Sequence, residues 1–175
     1  MALRLALSLS LVLVARPLIA TGQAAPTRAW FLDYTWTPDQ DSLAGLPVKR
    51  INSGWDKALA LSPALFPPLS HDDSLEATDY IWTLGADLNQ DGRRDSVLTG
   101  VFAGAGGTGR YLLVLSRDGT GGWQSTFLRT TRDGPGFSAL SLRNGHLFWL
   151  SCMSCGNQSR LIPTRTGFRL KYEGD

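Results

Sequence analysis

The chain has 175 residues, with 17 Lys and Arg against 15 Asp and Glu, and only 2 His and 2 Cys. That length suits one domain with at most a small appendage. Apolar residues make up 43%, too many for a disordered chain. So few Cys and His exclude multi-disulfide scaffolds and rich metal clusters.

Residues 1–24 read as an export signal. Arg4 gives a short basic start, Leu5 to Val14 is apolar, and the small residues from Ala20 to Ala25 could hold a cleavage point. The apolar run is too short to span a bilayer, which takes about 20 residues. Gly22 and Ala24 place the expected cut before Ala25, and no Cys nearby suggests a lipid anchor. The segment holds two of the basic residues, Arg4 and Arg16, and no acid, so its removal brings the formal charge from +2 to zero. No basic patch remains to attract nucleic acid. The mature protein is expected to be periplasmic or secreted, with no stable membrane span.

Residues 25–79 form an N-terminal extension expected to pack on the domain that follows. Ala29 to Trp36 is aromatic enough for a strand. Ser53 could cap one short helix, with Asp56 three residues on, Trp55, Leu59 and Leu61 as a partial apolar stripe, and Pro63, Pro67 and Pro68 as its stop. The acidic stretch around His71, Asp72, Asp73, Glu76 and Asp79 reads as a solvated connector.

Residues 80–175 read as an antiparallel β domain of about eight strands. The runs are Tyr80 to Leu84, Ser96 to Phe102, Tyr111 to Leu115, Trp123 to Leu128, Phe137 to Leu142, His146 to Ser151, Arg160 to Ile162 and Phe168 to Tyr172. Tyr111 to Leu115 is apolar on both faces, as an interior strand is. Asn144-Gly145 is a strong hairpin signal. Phe168, Leu170 and Tyr172 are expected to face the core. The class is therefore mainly β: an antiparallel meander forming a sandwich, a barrel or a propeller-blade-like sheet, with one short N-terminal helix. The spacing leaves no room for the crossover helices of a parallel sheet.

One loop carries chemistry. Asp87, Asn89, Asp91 and Asp95 stand at its first, third, fifth and ninth positions, with Gly92 at the sixth. Alternate oxygens can turn inward on a hard cation, Gly92 permits a sharp turn, and Arg93 can offer its backbone oxygen. One calcium ion is the expected occupant, since magnesium demands stricter octahedral geometry and zinc prefers softer donors. An EF-hand would place an acid at the twelfth position, where Leu98 stands, and the flanks are strand-like. The stretch from Gly85 to Gly100, with its Asp-x-Asn-x-Asp-Gly-x-x-Asp core, resembles the calcium hairpins of FG-GAP and VCBS repeat proteins. The resemblance covers one short segment in a single copy. It implies calcium, an extracytoplasmic location, β structure and a structural or adhesive role.

Other signals are weaker. Gly104 to Gly109 matches G-x-G-x-x-G, but a strand follows instead of a helix, so a hairpin loop is expected. Cys152 and Cys155 can form a local disulfide after export. Trp30, Trp36, Trp55, Trp82, Trp123 and Trp149 are expected in the core. No residue is assigned a catalytic role, because no nucleophile elbow or triad signature occurs. The reading is an exported calcium-binding β module, structural or binding in role, with an unidentified protein or cell-envelope partner. The alternatives are a periplasmic inhibitor or immunity protein against a cell-wall hydrolase, and a hydrolase using the acidic stretch near His71.

Overall fold

The computed structural model describes residues 34–65, 79–151 and 158–173. Two five-stranded antiparallel sheets lie in a sandwich-like arrangement. The first contains β3 (Trp55–Ala60), β5 (Thr83–Ala86), β6 (Asp95–Gly104), β7 (Gly107–Arg117) and β8 (Trp123–Thr131). The second contains β4 (Tyr80–Ile81), β9 (Ala139–Arg143), β10 (His146–Leu150), β11 (Gln158–Thr164) and β12 (Gly167–Tyr172). A small ribbon of β1 (Ser42–Leu43) and β2 (Leu46–Pro47) leads into the four-residue helix α1 (Val48–Ile51). Of the architectures open to the sequence, this is the sandwich.

Strands β6 and β7 show why the first sheet is central. Their residues alternate between two apolar layers. Val97, Leu112 and Val114 face the second sheet and meet Leu140, Leu147, Trp149 and Leu161. Leu98, Phe102, Tyr111, Leu113 and Leu115 face the other way, under Leu43, Leu46, Val48 and Ile51 of the ribbon and helix. A fully buried Leu or Val is worth about 1.5–3 kcal/mol, so this doubly covered hairpin is the main store of stability. The apolar-on-both-faces pattern of Tyr111 to Leu115 meant an interior strand, and it is one.

One edge of β6 is shared by two strands laid end to end. β5 pairs with Asp95–Leu98 and β3 with Gly100–Gly104. Between them, the Thr99 N–H donates to the Trp82 carbonyl at 3.1 Å and the Thr99 carbonyl accepts from Leu61 N–H at 3.0 Å. At Gly100 a Cβ would stand 2.0 Å from the Leu59 carbonyl, so this approach of β3 requires glycine.

Three expectations are corrected. The helix expected from Ser53 through Leu61 is instead strand β3; the helix lies earlier, at Val48–Ile51. Both faces of β3 are covered, Trp55 and Ala58 in one layer and Leu59, with Leu61 just beyond the strand, in another, and a bulge between Trp55 and Lys57 shifts the phase. That combination mimics helical spacing. The described part of the aromatic run, Tyr34 to Trp36, is not a strand, although Trp36 N–H donates to the Pro135 carbonyl. Tyr172 is 59% exposed, because β12 is the outer strand of its sheet. The run from Tyr80 to Leu84 also changes sheets at Trp82: Ile81 pairs with Leu140 and Thr83 with Leu98. Trp36, Trp55, Trp82 and Trp149 are buried and Trp123 half-buried, while Trp30 lies outside the described residues.

A buried polar link joins the sheets. Trp149 Nε1–H donates to Ser138 Oγ at 2.8 Å, Ser138 Oγ meets Thr99 Oγ1, and Thr99 Oγ1 donates to the Tyr111 carbonyl at 3.0 Å.

Candidate functional site

The loop of residues 87–94 joins β5 to β6, so it is a hairpin tip closed by the pair Ala86 and Asp95. Its sharp bends fall at two left-handed residues, Gln90 with φ 59° and Gly92 with φ 82°. Gly92 is the position where the sequence demanded such a bend; Gln90 gave no signal.

The side-chain oxygens turn back onto the loop. Asp87 spans it, accepting from Asp91 N–H at 3.1 Å and from Gly92 N–H at 2.9 Å. Asn89 Oδ1 accepts from the same Asp91 N–H at 3.1 Å, so Asp87 and Asn89 converge on one backbone nitrogen. Asp91 Oδ1 accepts from Arg93 N–H at 2.8 Å, and its Oδ2 accepts from Asn89 Nδ2–H at 3.0 Å. Asp95 is 1% exposed at the start of β6. Its Oδ1 accepts from Ser116 Oγ–H at 2.6 Å and its Oδ2 from Leu88 N–H at 3.0 Å. Asp95 thus ties the loop base to β7, while Asp87, Asn89 and Asp91 organise the tip.

Among the described residues, no group of three or more His, Cys, Asp or Glu side chains is drawn together as a metal centre. The donor chemistry of the tip still fits a hard divalent cation. Every expected ligand is oxygen, and a carboxylate that accepts one N–H keeps lone pairs to spare. Arg93, expected to contribute only its carbonyl, is exposed, and its N–H is bound within the tip.

Sequence reasoning gave no functional role to the neighbouring turn between β7 and β8. Asp118 Oδ1 accepts from Thr120 Oγ1–H at 2.7 Å, Thr120 N–H at 2.8 Å and Gly122 N–H at 2.8 Å. The Thr120 hydroxyl above all, then the backbone N–H groups, holds the Asp118 carboxyl below the usual carboxylate range. Asn89 and Asp91 share a polar cleft of about 630 Å³ with Asp118 and with Arg165 of the β11–β12 turn. In the sequence Asp118 is a lone acid before Gly119, with no hint that it would stand beside the Asp-rich loop.

A third polar feature lies at the other end of β7. Arg110, 8% exposed, donates through Nε to Asp133 Oδ1 at 3.0 Å and through Nη1 to the Phe137 carbonyl at 2.9 Å, and it also reaches the Ser151 carbonyl. Partial burial opposes the charge on Asp133, but the Thr131 hydroxyl and Arg110 outweigh it and lower its pKa. This arrangement satisfies a buried cation. Cys152, Cys155 and His71 lie outside the described residues.

Comparison of the chain with protein families, with curated proteins and with solved structures returns no match.

Proposed function

We propose that this is an exported β module that holds one calcium ion in the 87–95 hairpin loop and acts in binding or as a structural unit. The observation that carries the reading is the convergence of Asp87 and Asn89 on the Asp91 nitrogen, at the tip of two paired strands, with Gly92 in the left-handed bend. Oxygens held there in advance need little reorganisation to meet a cation. Asp87, Asn89 and Asp91 would hold the ion through side chains and Arg93 through its carbonyl, with Asp95 completing the set from the strand. Bound calcium would supply charge neutralisation and crosslink a loop that otherwise gathers like charges. Export is supported by the basic start and apolar run of residues 1–24.

The test is calorimetry and thermal melting with calcium and with chelator. A cation present at about a hundredfold over its Kd stabilises the folded state by about 2.7 kcal/mol. Wild type is therefore expected to lose several degrees of Tm when chelator is added. Asp91→Ala is expected to melt lower in calcium buffer and to show no chelator shift. A wild type with neither a calcium heat signal nor a chelator shift would reduce the loop to a hydrogen-bonded turn.

A further inference from the structure

The two sheets each end in an outer strand on the same side of the sandwich: β8 in the first and β12 in the second. The strands approach each other near their beginnings, where a Cβ on Gly167 would stand 3.5 Å from the Thr126 carbonyl. Beyond that point a cleft of about 520 Å³ opens between them, with Trp149 at its floor. Its walls include the consecutive residues Phe127, Leu128 and Arg129 on β8 and Phe168, Arg169 and Leu170 on β12. Alternate side chains of a strand point to opposite faces, so three consecutive residues can border one cleft only along the strand's edge. The cleft therefore runs beside backbone that has no neighbouring strand among the described residues.

Its charge is one-sided. Arg129 and Arg169 line it and no carboxylate does. Neither arginine has a carboxylate partner among the described residues, whereas the nearby acids are engaged: Asp133 by Arg110, and Glu173 by Arg160 at 3.0 Å. Charged side chains on outer strands commonly guard against pairing with other chains. Here the guard has one sign. It opposes a second copy of this edge, which would bring arginine against arginine, and it admits a strand of opposite charge.

We propose that the β8 edge is a docking site for an extended acidic peptide, which adds as a further antiparallel or parallel strand. Main-chain hydrogen bonds to Phe127–Thr131 supply the register, and glutamate or aspartate side chains reach Arg129 and, across the cleft, Arg169. Phe127 and Leu170 offer apolar contact for alternate residues.

The experiment uses the full mature chain and two capped peptides, one alternating valine with glutamate and one alternating valine with lysine. Amide chemical shifts are followed by NMR during titration at low and at high salt. The acidic peptide is expected to bind with shifts at residues 127–131 and 168–172, about tenfold more weakly in high salt, while the lysine peptide is inert. Arg129→Glu, an exposed change, is expected to weaken the acidic peptide at least about tenfold and to admit the lysine peptide. No binding of the acidic peptide to wild type overturns the proposal, and that comparison needs no variant. So does equal binding of both peptides, or binding whose shifts map away from β8 and β12. Free glutamate producing the same shifts at the same concentration would likewise overturn it, showing an anion site without strand pairing.

Discussion

Two acid-led turns stand side by side at one end of the sandwich and solve different problems. The turn at Asp118 has one carboxylate, and a single oxygen of it serves three donors from Thr120 and Gly122. One acid is enough to close such a turn. The loop from Asp87 to Asp95 is longer and spends three carboxylates and an amide on its own backbone. Its acids exceed the single carboxylate that closes the Asp118 turn. The comparison teaches that turn chemistry explains the first completely and leaves a surplus in the second, and this surplus motivates the calcium reading.

Substitutions can break or sharpen this contrast. The largest effect is expected at Asp95. Asp95→Ala removes the acceptor of the part-buried Leu88 N–H and leaves the Ser116 hydroxyl only Thr126 Oγ1, at a cost of about 1–3 kcal/mol measured by denaturant unfolding. A loss below about 0.5 kcal/mol would show that Asp95 is not the loop's anchor. Next comes Gly92→Ala. No atom lies within 4 Å of the added Cβ, so its cost is purely conformational, about 1 kcal/mol for a left-handed alanine. If the loop cradles an ion, the same change also weakens calcium, whereas an equal loss with and without chelator would confine Gly92 to the turn.

The smallest effect is expected at Asp118, which is half-buried and bonded only within its own turn. Its folded-state pKa lies below its unfolded one, so its contribution is complete above the ordinary value of 3.8 and fades as the pH falls through the lower folded value. The Tm gap between wild type and Asp118→Ala is therefore expected near neutrality and to narrow below pH 3.8. A gap independent of pH would mean that the turn does not depend on the ionised carboxylate.

Much of the sheet was legible because its determinants are local. The run from Ser96 to Phe102, two-faced apolarity in Tyr111 to Leu115 and the left-handed pair Asn144-Gly145 each state a strand or turn within a few residues. All eight runs after residue 79 contain strand, though Trp82 divides the first between two sheets. What escaped depends on distant partners. Trp55 to Ala60 is a strand because β6 offers it an edge, with Gly100 clearing the way for Leu59. Tyr172 is exposed because nothing pairs beyond β12 among the described residues, a fact no local pattern carries. For the loop, the offsets announced the oxygens and the bend at Gly92, but not that Asp95 would be committed to Ser116. That bond requires β6 and β7 to be in register, and register is a property of the assembled sheet.

Two apolar layers pressed face to face resist separation, yet dispersion forces alone scarcely oppose sideways slip. The Trp149, Ser138 and Thr99 chain acts as a dowel through both layers, since a hydroxyl bonded in only one alignment fixes how far one sheet is sheared over the other. The indole that supplies one end of the dowel is one of six in the chain, so its emission reports that alignment once the share of the other five is subtracted.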